Sequence, residues 1–385
     1  MMKKGKIALV ISLISVVAVV VIGLIITVIY NVALKPADFE NIIPVSGAGT
    51  GYYRYCYQEL NEEEKAVYGV ILQNIYNQHE KIEVPELANG DLTKVFKAIS
   101  YDNPDLFNIG LKCKMYKKGF KNYFVPEYAI DYATYQKQLK EATEIASVII
   151  EETKSFTSTY EKEKYVHDYI INHCSYVEPE QSTNANTMYG CLVEGKASCE
   201  GYSRTFQYIM NKLDIDNRLV TGESADDGVN YTRHMWNIVN VDGGSYFVDL
   251  TWDDPKSQDS VLRHSYFNVT TNDILLKHRN IEQTLPLCTD TTFNYFVYEG
   301  LYFNVGAGDT FESAVYNAVY SALEKQEKCI EIKLSDGAVM AQAVNSLFND
   351  GIIYGAFSET GIVSSTSSQV YYSSDDKLNV ICVYF

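Results

Sequence analysis

Residues 195–203 read Gly195-Lys196-Ala197-Ser198-Cys199-Glu200-Gly201-Tyr202-Ser203. Ser198 is a helix-capping residue type and Glu200 suits a first turn, so the spacing predicts a helix over 198–213. Cys199 then sits at or next to its first helical position. The partial positive charge of the unpaired N–H groups there stabilises a thiolate, and the same groups can receive an oxyanion. Gly195 and Gly201 flank it and let a substrate backbone approach closely. In an arbitrary setting a cysteine is a buried small hydrophobe; in this one it reads as a nucleophile.

Two segments downstream supply what a thiol needs. His234-Met235-Trp236-Asn237 opens a strand over 234–241, and an imidazole there is a suitable base because it titrates near neutrality. The other histidines (His79, His167, His173, His264, His278) fall on helices or loops without comparable acidic and apolar strand neighbours. In Val248-Asp249-Leu250-Thr251-Trp252-Asp253-Asp254-Pro255, Asp249 interrupts an apolar strand over 246–252. A buried carboxylate is costly without a partner, and orienting His234 would supply one. A two-residue turn at Gly243-Gly244 sets His234 opposite Asp253 and leaves Asp249 on the same face but roughly 13 Å away along the strand. A longer loop or a bulge near Val241 removes that offset. On the residues alone both Asp249 and Asp253 stand as the orienting acid. Trp236 and Trp252, the two tryptophans, either wall the site or pack the strand pair. Tyr189 is a candidate second oxyanion donor.

The three segments, in this order, resemble the core of the transglutaminase-like superfamily, which is related to papain-like cysteine enzymes. The resemblance is carried by Gly195 to Tyr202, His234 to Asn237 and Val248 to Pro255, and weaker similarity extends upstream through Asp102-Asn103-Pro104-Asp105-Leu106-Phe107. It implies an α+β fold in which the nucleophile helix packs on an antiparallel sheet. It also implies Cys199 as nucleophile, His234 as base and Asp249, rather than Asp253, as orienting acid. Nothing resembles the calcium sites or β-sandwich domains of animal transglutaminases.

Outward from this core the chain reads as a series of segments. Residues 1–6 form a cytoplasmic tail and residues 7–30 a transmembrane anchor. That run carries no charge and follows Lys3, Lys4 and Lys6. As a helix it is roughly 36 Å long, more than a hydrocarbon core of about 30 Å, and the preceding lysines hold the N-terminus in the cytoplasm. Residues 31–58 are a stalk, with Pro36, Pro44 and the glycines of Ser46 to Gly51. Residues 59–130 form an accessory region, with helices over 60–76 and 91–99 and strands over 119–131. The catalytic domain occupies 131–288, with helices over 135–154 and 159–174. Residues 289–385 form a small C-terminal α+β unit of unknown role, with strands over 295–305, 330–334 and 378–384 and helices over 310–324 and 339–348.

Hydrophobic residues at 46% and charged residues at 21% exclude wholesale disorder. The 32 basic and 49 acidic side chains leave a net charge of -17, which excludes nucleic acid as an expected partner. None of the eight cysteines forms a C-x-x-C pair, and zinc held by Cys174, Cys191, Cys199 and His173 has poor spacing. No metal or organic cofactor is expected. The expectation is a cysteine enzyme anchored in the cell membrane, with its domains outside the cell. It acts on amide bonds of a protein or peptide, cell-wall peptide included, as a peptidase, amidase or transglutaminase. The alternative is a binding or scaffolding protein at the cell surface that keeps this fold without the activity.

Overall fold

The computed structural model describes residues 2–31, 35, 37, 39, 44–254, 261–307, 309–360 and 370–385. The chain forms two compact units. One comprises Met1–Pro44, Cys56–Ser100 and Asn108–Tyr132, and the other comprises Val45–Tyr55, Tyr101–Phe107 and Ala133–Phe385.

In the first unit the apolar N-terminal run is a helix, α1 (Met2–Ile29). Among the described residues no helix is long and apolar enough to cross a membrane, so the fold does not support the spanning helix expected from the sequence. Pro36, expected in the stalk, lies outside the described residues. Helix α2 (Glu62–Ile75) starts at a reciprocal cap between Asn61 and Glu64 and buries Val67, Val70, Ile71 and Ile75. Strand β1 (Ile82–Val84), helix α3 (Leu92–Asp102), strand β2 (Ile109–Lys118) and strand β3 (Lys121–Tyr128) follow. The strands form an antiparallel sheet with β3 in the middle.

The second unit opens with helices α4 (Tyr132–Glu152) and α5 (Thr159–His173). The stretch before Cys199, expected as loop, contains a single wide turn at Gly190–Glu194. Helix α6 (Cys199–Lys212) then packs on an antiparallel sheet of β4 (Asn217–Ser224), β5 (Thr232–Val241), β6 (Gly244–Val248) and β7 (His278–Arg279), in the order β6-β5-β4-β7. The helix buries every residue from Gly201 to Asn211, because it has the sheet on one side and helices on others. Its hydrogen bonds to the sheet are specific. Ser203 donates to the Met235 carbonyl at 3.0 Å, and Asn237 donates to the Ser203 carbonyl at 3.1 Å.

Two details differ from the sequence reading, and both bear on the site. Val241 pairs with Gly244, so the turn is Asp242-Gly243, one residue earlier than expected. Both residues adopt positive φ, +48° and +94°, the conformation that an Asp-Gly hairpin turn requires. Strand β6 also ends at Val248, and Asp249 caps a short helix, α7 (Leu250–Asp253), instead of continuing the strand.

The C-terminal stretch has its own sheet and core. Strand β8 (Tyr302–Phe303) runs parallel to β9 (Cys329–Leu334), which pairs antiparallel with β11 (Val380–Tyr384); β11 in turn pairs with β10 (Tyr371–Asp375). Residues 295–298, expected as strand, are helical, and their apolar side chain Phe296 packs into the core as part of a helical turn. On β9, Ile330, Ile332 and Leu334 enter an apolar cluster with α8 (Asp309–Glu324) and α9 (Ile352–Thr360). The alternate residues are charged and also buried. Glu331 accepts from the His264 backbone N–H at 2.6 Å and the Ser265 hydroxyl at 2.7 Å, and Lys333 donates to Asp273 at 3.0 Å. One face of this sheet is therefore apolar and the other is fastened by polar contacts to the segment around His264.

Candidate active site

Cys199 occupies the first position of α6, behind Ser198 in extended conformation, and is half-buried. Ser198 does not cap the helix with its side chain. Its hydroxyl instead donates to Asn186 at 2.5 Å, and its N–H donates to the Ala185 carbonyl at 2.9 Å. The first-turn N–H groups beside the thiol are thus left without a side-chain cap. The flanking glycines do not make room for a substrate. A Cβ on Gly201 would lie 2.3 Å from the Ala185 carbonyl oxygen and 2.8 Å from the Ala197 methyl, so Gly201 lets the helix start press against the preceding segment. Gly195 adopts φ +64° to close the wide turn.

His234 lies inside β5, two residues after its start, rather than at the strand end. Its Nε2 is 2.7 Å from Asp249 Oδ2, and the Cys199 sulfur acts on the same ring as hydrogen-bond partner and neighbouring charge. With Nε2 committed to the carboxylate, Nδ1 is the nitrogen left for the thiol. The shifted turn explains how Asp249 arrives. Extending the β5–β6 pairing one step past Asn237 and Val248 sets Asp249 opposite Trp236, one step of the same sheet face from His234. The separation expected from the sequence is halved. Asp249 is fully buried, and its other oxygen accepts from the Thr251 and Trp252 backbone N–H groups at 3.1 and 3.2 Å. Burial alone would raise its pKa. The charge and hydrogen bond of His234, with a second hydrogen bond from His278, outweigh burial and hold it well below the ordinary carboxylate range. For His234 burial pulls downward, but the Asp249 charge and hydrogen bond and the Cys199 contact push its pKa up to about 10.

Asp253, the other acid considered from the sequence, is not beside His234. It is fully buried, accepts from the Tyr266 N–H at 2.8 Å, and lies 3.2 Å from His167 Nε2. Trp236 is wholly buried and stacks at 5.7 Å and 20° on His234, so it backs the ring from the core and walls no cleft. Trp252 lies edge-on to His234 at 6.3 Å. Tyr189 pairs its hydroxyl with Glu141. Pro255 lies outside the described residues.

Two contributors escape the sequence reading. Tyr176, whose strand pairs with Lys196–Ala197, feels the charge of Cys199. His278 reaches Asp249 Oδ2 at 2.8 Å from strand β7. The ligand-type atoms of His234, Asp249 and His278 converge within 4.8 Å, as do those of His167, Asp168 and His264. In each trio one carboxylate oxygen already lies against both rings.

The family model of the Transglutaminase-like superfamily matches residues 147–250, a stretch holding Cys199, His234 and Asp249. Among solved structures, the chain is similar to a TGase at 17% identity over 47% of this chain and 53% of that one, with a TM-score of 0.26. It is also similar to a candidate cysteine protease from Cytophaga hutchinsonii at 10% identity, over 37% and 62%, with a TM-score of 0.25. A candidate protease from Parabacteroides distasonis is similar at 12% identity, over 38% and 40%, with a TM-score of 0.22. The chain spans about half the length of the first of these structures. No curated protein matches it.

Proposed function

Residues 147–250 being a transglutaminase-like domain, we propose that the chain is a cysteine enzyme acting on amide bonds of proteins or peptides, with Cys199, His234 and Asp249 as its triad. The observation that carries this reading is the contact series: sulfur to His234, and His234 Nε2 to Asp249 at 2.7 Å. The Asp249 charge and hydrogen bond make His234 a stronger base than a free imidazole, so the ring is suited to take the thiol proton of Cys199 and leave a thiolate. The thiolate attacks the amide carbonyl, and the first-turn N–H groups of α6 receive the oxygen of the tetrahedral intermediate. The imidazolium then gives its Nδ1 proton to the leaving amine, and the C–N bond breaks to leave an acyl-enzyme. The neutral ring next takes a proton from the acceptor, water for a peptidase or amidase and an amine for a transglutaminase; the acceptor's oxygen or nitrogen bonds to the acyl carbon, and the C–S bond breaks to return the thiolate. Asp249 holds the ring and offsets its charge throughout.

Location at the cell membrane, with the domains outside, is part of the proposal. It is supported by the uncharged run from Ile7 to Tyr30 behind three lysines. The test is Cys199→Ala in the full chain, measured for hydrolysis and for amine incorporation into a peptide library. Loss of both activities with an unchanged melting temperature is expected. A variant as active as the parent would remove the triad mechanism, and a parent with neither activity would leave the surface-scaffold reading.

A further inference from the structure

We propose that His278 is a positioning residue for this triad: it shares Oδ2 of Asp249 with His234 and thereby sets both the orientation and the basicity of the carboxylate. The inference rests on the catalytic reading of Cys199 and deepens it.

The geometry is specific. Asp249 Oδ2 lies 2.7 Å from His234 Nε2 and 2.8 Å from His278 Nε2, while Oδ1 is held by two backbone N–H groups. All four contacts fall within hydrogen-bonding distance, so the carboxylate cannot rotate without losing several at once. The His278 ring is buried, with its Nδ1 3.1 Å from the Ile274 carbonyl oxygen. Strand β7 fixes its backbone by pairing His278 with Ser224. The groups facing the ring are Asp249, His234, the phenol of Tyr266 and the indoles of Trp236 and Trp252, with Lys277 lying over Trp252.

Both nitrogens of His278 therefore meet an acceptor, and a neutral imidazole has one N–H to give. Double protonation would satisfy both. Burial opposes it first; Asp249 favours it, and the neighbouring His234 charge again opposes it. The balance holds the His278 pKa below its ordinary value. The ring is then neutral when His234 is charged. Its proton belongs on Nε2, because a lone pair there would face a carboxylate at 2.8 Å. A neutral donor on Oδ2 draws off part of the electron density that would otherwise act on His234. Without it, Oδ2 becomes more basic and His234 holds its proton more tightly.

A pair of substitutions separates this role from simple packing. The amide nitrogen of glutamine reaches roughly where Nε2 lies, and that of asparagine roughly where Nδ1 lies. His278→Gln therefore keeps the donor to Asp249, and His278→Asn keeps the contact to Ile274. In histidine-labelled full chain, the His234 midpoint followed by imidazole nitrogen NMR should rise by about one unit in His278→Asn and stay at the parent value in His278→Gln. Parent-like midpoints in both variants would overturn the inference, as would equal shifts in both. Iodoacetamide labelling of Cys199 in the unsubstituted protein tests the underlying reading separately. Labelling below pH 7 no faster than that of a free thiol would sink the catalytic proposal, whatever the His278 variants do.

Discussion

The second compact unit contains two clusters of the same composition, each a carboxylate between two imidazoles. Around Asp249 stand His234 and His278 at 2.7 and 2.8 Å. Around Asp168 stand His167 and His264 at 2.9 and 2.8 Å. The first has a sulfur facing one ring at a helix start. The second has Lys164 on the other carboxylate oxygen at 2.7 Å, Asp253 against the far side of His167, and Glu331 beyond His264. Where the first cluster has the Cys199 thiol, the second has more counter-charge. On the proposed mechanism a His-Asp-His arrangement becomes chemistry only where a group that can give up its proton to the ring stands beside it, and elsewhere it is a fastening.

The comparison can be broken from either side. Asp249→Asn should lower turnover by about 10³-fold or more, as removal of a triad carboxylate does, and should also cost stability, because it leaves His234 without its acid. Asp168→Asn should cost stability alone. It leaves His264 and Lys164 without their acid, costing about 2–4 kcal/mol of unfolding free energy, while activity per folded molecule stays near the parent. Urea unfolding beside active-site titration reads both, and equal activity loss in the two variants would erase the distinction.

Alkaline pH gives a smaller effect that discriminates within each cluster. His264 is pulled down by burial but pushed up to about 9 overall by Asp168, and His234 to about 10 by Asp249. A folded pKa above the unfolded value of about 6.5 adds stability that is complete below that value and disappears as pH rises through the folded pKa. Melting temperature should therefore fall between about pH 7 and 10. His264→Gln should flatten the earlier part of the fall and His234→Gln the later part. The smallest effect concerns a third buried acid that has no imidazole at all. Glu163 is held by Asn268 at 2.9 Å on one oxygen, and burial pushes its pKa up to about 8. Its protonated form is the one that folds, so its contribution to stability falls as pH rises from the ordinary carboxyl range to about 8. Glu163→Gln should raise stability by about 1–3 kcal/mol at pH 8 and by little at pH 5. An equal gain at both pH values would show that charge is not the cause.

The sequence makes the first cluster partly legible and the second not at all. Cys199 is visible because local signals mark a helix start, and α6, β5 and the hairpin follow from spacing and turn chemistry. Asp249 could not be chosen over Asp253 from the residues, because a one-step error at Asp242-Gly243 changes every pairing downstream. His278 carries no signal in the sequence because its strand is two residues long and meets Asp249 only through long-range pairing with Ser224. The same holds for His264, which lies 96 residues from Asp168 and carries no periodic signal of its own.

The polar face of β9 has a consequence for anyone wishing to shorten this protein. Trimming at residue 289 would discard Glu331 and Lys333, stranding the His264 N–H and the Ser265 hydroxyl and leaving Asp273 without its lysine. The remaining fragment would keep its sulfur, ring and acid in the chain while losing the brace that seats the loop behind them. The last hundred residues are built less like a detachable appendage than like a keystone.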